Sequence, residues 1–265
     1  MSHELDQRPL DQDFSEELHA WTKMTCLLFS MDLRQELSTK VLFWGRNLRQ
    51  QLVTESLDSE LAVSEFLLNF FFKIKRFSCQ SNSYADFQVS HGLHQHAGHP
   101  LLVCLILQNL ASFLDMKTQL LKISDTFVLQ FTIDGYPYFV APQIACGFLS
   151  LNDFQKMQKK DQAIALRSET IHSQNIADHF LKEVEYFLPE EPISLRLQYL
   201  DLKIKLHPMD SGSLIRRGLL KGILGQKKEA FLDFKKASYI SRFDQNPPEV
   251  QNYFKELALE FDGQA

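Results

Sequence analysis

Residues 126–140, TFVLQFTIDGYPYFV, decide the fold class. Phe127, Leu129, Phe131 and Ile133 alternate with Val128, Gln130 and Thr132 at the period of two that a strand requires. Asp134-Gly135 then interrupts the pattern, and Tyr136, Tyr138 and Val140 resume it, which reads as a tight β-hairpin. Upstream, Thr118–Ile123 supplies a neighbouring strand. Before that, Pro100 opens a stretch, Leu101–Leu114, that is apolar on every side at helical length. Proline suits a first helical turn because its missing N–H has no intrahelical partner there. The pattern predicts a buried central helix with a small antiparallel sheet packed on it.

Working outward, the remaining sequence reads as helix, so the fold class is α+β and predominantly helical. Between Phe14 and Phe72, apolar residues such as Leu33, Leu37, Val41, Trp44 and Leu48, then Leu61, Phe66 and Phe70, recur at helical spacing and predict three helices. Phe77–Gly98 is rich in Ser, Gln, Asn and His with two glycines, and reads as a long irregular connection. Beyond the hairpin, helices are expected near Leu151–Met157, over Ile176–Phe187 and Ile193–Leu206, and in three further segments punctuated by Pro208, Gly225 and Pro247-Pro248. The expected organisation is an N-terminal helical region over 1–83, a core over 84–165 and a helical repeat tail over 176–265.

That tail carries a repeat. Gly218, Gly225, Ala230, Phe234 and Ala237 fall at the small and aromatic positions of one tetratricopeptide unit of roughly 34 residues, with Pro208 closing the unit before it. Small residues are needed there because the two helices of a unit cross closely. Arg217, Lys221 and Arg242 depart from the pattern, as do Arg196 and Lys203 in the preceding unit. The helix after Pro248 presents Val250, Tyr253, Phe254, Leu257 and Phe261 as one apolar stripe, as a capping helix does. A groove lined by Ile215, Leu219 and Ile223 is the expected seat of a protein or peptide partner.

Composition excludes several classes. The 265 residues are 45% hydrophobic and 23% charged with net charge −5, and their basic residues are interspersed with acidic ones, so no nucleic-acid footprint is present. No apolar run approaches the roughly 20 residues needed to span a bilayer. Met1–Asp6 has neither a basic nor an apolar signal region, and a cytoplasmic location is expected. Cys26, Cys79, Cys104 and Cys146 lie far apart without a C-x-x-C pair and read as reduced core thiols. There is no G-x-x-x-x-G-K-[ST] phosphate loop, and the 22 phenylalanines serve the core, so no cofactor is expected.

The order of apolar helix, strand meander and repeat helices resembles the SirB family, a bacterial transglutaminase-like domain followed by tetratricopeptide repeats. The resemblance spans about residues 40–260 and rests on four stretches. These are His96-Ala97-Gly98-His99-Pro100-Leu101-Leu102, Asp125-Thr126-Phe127-Val128-Leu129, Val140-Ala141-Pro142 and Arg217-Gly218-Leu219-Leu220. It implies a cysteine nucleophile two residues after the glycine at the helix N-terminus, a histidine on the next strand and an orienting acid on the strand after. Here those positions hold Pro100, Thr126 and Ala141. Proline has no nucleophile, threonine is no base near neutral pH, and alanine orients nothing. The resemblance therefore implies a pseudoenzyme that acts by protein interaction, with an indirect regulatory or scaffold role.

Two alternatives belong to other classes. His91, His94, His96 and His99 lie within nine residues, a run that suits zinc or nickel, although no thiolate accompanies them and Asp86 is the nearest upstream carboxylate. The bland reading of the run is a solvated loop. Cys104, one turn past Pro100, or Cys146 is the alternative of a displaced nucleophile in a hydrolase or acyl transferase. An apolar helix, however, buries a thiol and raises its pKa, the opposite of activation.

Overall fold

A computed structural model describes residues 15–29, 34–80, 82–123, 125–150, 152, 156, 168–241 and 245–261. They group into two compact units, the first ending at Val184 and the second running from Glu185 onward, with Leu27–Phe29 counted in the second.

The first unit opens with three helices, α1 (Glu16–Phe29), α2 (Arg34–Glu55) and α3 (Glu60–Leu68), as the apolar spacing predicts. Ser59 caps α3 by accepting the Ala62 N–H, and α3 continues into a π-helical turn, Asn69–Ile74. After β1 (Ser78–Cys79), α4 (Val89–Gln95) and β2 (Ala97–Gly98) comes the central helix α5 (Pro100–Ser112). Its residues Pro100–Leu107 and Asn109–Ala111 are all buried, as its all-round apolarity requires. Strands β3 (Lys117–Ile123), β4 (Thr126–Ile133) and β5 (Tyr136–Val140) form an antiparallel meander. Asp134 and Gly135 adopt positive φ of 50° and 82°, the left-handed pair that a two-residue hairpin of this hand needs. Phe127, Leu129, Phe131 and Ile133 are buried on one face, while Val128 joins Leu121, Ile123 and Ala141 in a small cluster on the other.

The structure adds a fourth strand and removes a loop. β6 (Ser168–Thr170) pairs with Leu121–Ile123 on the open edge of β3, giving the order β5-β4-β3-β6. Three residues, Ser168-Glu169-Thr170, are too few to show an alternation. The Phe77–Gly98 connection is ordered by α4 and a 3-10 turn, Tyr84–Phe87, where the expectation was irregular chain. Its glycines serve close packing. A Cβ on Gly92 would lie 3.0 Å from the Leu102 side chain, and one on Gly98 would lie 3.2 Å from the Asp86 carbonyl oxygen. The helix expected near Leu151–Met157 lies outside the described residues except for Asn152 and Lys156.

α6 (Ile176–Glu185) closes the first unit, and the second consists of α7 (Ile193–Leu206), α8 (Ser211–Ile223), α9 (Lys227–Ile240) and α10 (Pro248–Phe261). α8 starts at Asp210, whose carboxylate accepts the Ser213 N–H, and the chain leaves it through Gly225 at φ 76°. α8 and α9 meet at Gly218, where a Cβ would stand 3.1 Å from the Phe234 ring and 3.3 Å from the Ala230 carbonyl oxygen. Leu214, Ala230, Phe231, Phe234, Ala237 and Leu257 form the core, with the stripe of α10 packed on it. Arg217 and Lys221, odd for a repeat of this kind, both engage Asp233 of α9, and Arg217 also reaches Asp201 of α7 at 2.6 Å. Among the described residues no helix is long and apolar enough to cross a membrane.

Candidate functional site

The N-terminus of the central helix opens on a cleft of about 440 Å³ lined by Ser78, Cys79, Gln80, Pro100 and the turn Pro142–Cys146. β1 is held there by the Ser78 N–H to the His96 carbonyl and the Gln80 N–H to the Gly98 carbonyl, at 2.9 and 2.8 Å. The opposite wall is a turn in which Ile144 and Ala145 donate to the Ala141 carbonyl. Pro100 therefore lines the cleft. Ala141 is fully buried beneath the opposite wall, and Thr126, half-buried where β4 begins, is outside the lining. Of the thiols, Cys104 is fully buried and held well above its ordinary pKa by that burial. Cys146 is exposed, and Cys79 is half-buried, with its pKa pushed up to about 12 by burial first and by the neighbouring Cys146 second.

The four histidines of residues 91–99 point to four different places. His91 faces Asp86 at 3.7 Å. His94 is exposed with Nδ1 2.9 Å from the Ser90 carbonyl. His96 takes a left-handed conformation at the end of α4 and packs on Trp44 and Phe77, where burial lowers its pKa. His99 caps α5. Among the described residues no three His, Cys, Asp or Glu side chains are grouped to hold a metal ion. A helix turns successive side chains through about 100° each, so α4 spreads imidazoles that a loop is free to gather.

His99 is the centre of a second arrangement, behind the cleft. Its Nδ1 accepts the Leu101 N–H at 3.3 Å, which leaves Nε2 to carry the proton and face Glu183 at 3.6 Å. The ring lies between Phe87 and Trp21, at centroid distances of 4.5 and 6.0 Å, and Phe127 meets it edge-on. Lys122 of β3 donates to Glu183 at 2.8 Å. The His99 ring, together with Lys122, holds the Glu183 carboxyl down to about 2 against the opposing effect of burial. Burial in turn lowers the His99 pKa, with Glu183 opposing it. One turn earlier on α6, buried His179 approaches Glu169 of β6 at 3.2 Å. The network ties α5, β3, β6 and α6 together, and its own histidine is only 2% exposed, so its role is to position the helix start.

A family model described as the transglutaminase-like superfamily matches residues 32–186. The chain belongs to the transglutaminase-like superfamily. No curated protein and no solved structure matches it. The transglutaminase-like domain thus takes in α2 and α3 as well as the central helix and the sheet, and α7 to α10 lie outside the match.

The helical region beyond the transglutaminase-like domain has a cavity of its own, about 300 Å³, lined by Leu188, Arg196, Tyr199, Arg216, Leu219 and Ile223 among others. Leu219 and Ile223 are in its lining. Ile215 is 8% exposed and part of the core with Leu214 and Phe234. Residues four apart drift by about 40° around a helix, so over eight residues the face turns from core to solvent. At the floor, the Tyr199 hydroxyl and Lys203 both donate to Glu185, which also pairs with Arg216. Sequence reasoning missed Glu183, Lys122 and Glu185. The available signal was His179 and Glu183, four apart on one face of an amphipathic helix.

Proposed function

We propose that this is a non-catalytic transglutaminase-like protein of the SirB type, whose C-terminal helices form a short tetratricopeptide array that holds a protein or peptide partner. The observation that carries the reading is the cavity on α7 and α8, where Ile223 stands 70% exposed beside Leu219 and the cation of Arg196. An aliphatic side chain held at the mouth of a cavity is stabilised by covering it, and a partner's apolar residue does so. The close crossing at Gly218 supports a repeat of the tetratricopeptide kind. Pro100 supports the non-catalytic half, because it places a residue without a nucleophile at the helix start, and no imidazole lines the cleft among the described residues. The test is a photo-crosslinker placed at Ile223 in the full chain within cells. A discrete adduct that disappears when Arg196 or Leu219 is replaced supports the reading, and adducts no different from those of a crosslinker at exposed Val53 contradict it.

One observation favours a second reading. Cys146 is exposed in the cleft beside Pro100, where a displaced nucleophile would stand. That reading requires Cys146 to alkylate many times faster than a free thiol at neutral pH.

A further inference from the structure

Three of the four cysteines, distant in sequence, are neighbours around the start of the central helix. Cys146 is exposed, Cys79 is half-buried and shares its cleft, and Cys104 is buried behind Cys79, close enough for the charge of each to bear on the next. The cleft side chains facing the first two are Ser, Gln, Pro, Ile and Ala, and among the described residues no cation or imidazole lines the cleft beside either sulfur. Both thiols sit on pinned backbone, Cys79 on β1 and Cys146 on the loop between Ala141 and the bridge that pairs Val140 with Phe148. Two unactivated thiols facing one cleft lack the partners for acyl transfer, but they have what two-electron oxidation needs: an exposed sulfur and a second sulfur to resolve it.

We propose that Cys79 and Cys146 are a reversible disulfide pair that responds to peroxide and closes the cleft beside Pro100. The Cys146 thiolate attacks one oxygen of the peroxide. The O–O bond breaks, the other oxygen leaves as water after taking up a proton, and Cys146 becomes a sulfenic acid. The Cys79 sulfur then attacks the Cys146 sulfur, its thiol proton joins the departing hydroxide, and a second water leaves as the S–S bond forms. Two thiols and one hydrogen peroxide give one disulfide and two waters, and a small thiol reductant reverses the bridge by exchange. The order follows from exposure: Cys146 meets the oxidant first, and Cys79, half-buried in the same cleft, resolves it as it gives up its proton. Closure draws the Pro142–Cys146 turn onto β1 and restrains the 68 residues from Cys79 to Cys146, so the oxidised chain melts at a higher temperature.

The experiment treats the reduced full chain with hydrogen peroxide, blocks free thiols under denaturing conditions, and maps linked peptides by mass spectrometry. A Cys79–Cys146 link is expected that is lost on reduction, absent in C146S and retained in C104S. In C79S the sulfenic acid should persist and react with dimedone. Because Cys146 is exposed, C146S provides the control even if C79S folds poorly. Recovery of Cys79 fully alkylatable while Cys146 is overoxidised, joined to another chain or left untouched overturns the proposal. So does a link between Cys79 and Cys104.

Discussion

The two units place their buried charge in opposite ways. In the first, Lys122, Glu183 and His99 lie behind the helix start and leave the cleft in front with neutral side chains and thiols. In the second, Arg217, Lys221 and Asp233 bind one helix to the next, while the cavity presents exposed Ile223 and a partly exposed Arg196. Charge serves as internal bracing in both. What differs is the surface left over: neutral side chains and thiols in the cleft of the first unit, and an aliphatic side chain beside Arg196 in the second, where the proposed partner would sit.

The largest effect is expected from D233A. Asp233 has only 7% of its side chain exposed and satisfies two cations, so its loss takes this carboxylate from Lys221, leaves Arg217 with Asp201 alone, and should cost the second unit about 3 kcal/mol. Calorimetry should resolve a lowered transition for that unit with the transition of the transglutaminase-like domain unmoved. A shift below about 1 kcal/mol would show that the cations find water instead.

E183Q should cost the first unit less, about 2 kcal/mol, because Lys122 can still reach the amide oxygen. Its pH dependence sharpens the comparison. Glu183 is depressed when folded, so its contribution is present above the ordinary carboxylate value of 4.5 and is lost as pH falls toward about 2. His99 is also lowered when folded, so the unfolded chain takes up its proton first and stability falls as pH drops below 6.5. Denaturant midpoints for the first unit should therefore decline from pH 6.5 downward, and E183Q should flatten the part below 4.5. A midpoint that rises on acidification would reverse the assigned directions.

The smallest change in stability is expected for I223D, within about 0.5 kcal/mol, because that side chain is mostly in solvent. Its effect should appear in partner capture alone. An equally silent I215D would contradict the core placement of Ile215, whose burial calls for several kcal/mol.

Much of this was legible before folding was considered. The all-apolar run after Pro100 and the Asp134-Gly135 turn announce themselves because a single physical demand, burial on all sides or positive φ, leaves little choice of residue. Gly218 was legible for the same reason, as a close helix crossing. Gly92 and Gly98 obey that demand too, yet amid histidines and glutamines they read as loop, since close approach to Leu102 has no local signature. The Lys122–Glu183–His99 network and the Cys79–Cys146 cleft join residues distant in the chain, 61 apart at the nearest, and spacing within one element carries no trace of such meetings.

The central proposal is that the transglutaminase-like domain performs no acyl transfer. Its most direct test is incorporation of a labelled amine into a glutamine-containing peptide by the reduced full chain, run beside C146S and C79S. The account predicts incorporation at the uncatalysed rate in all three. Turnover in the native chain that disappears in C146S would contradict it and make the exposed thiol a nucleophile.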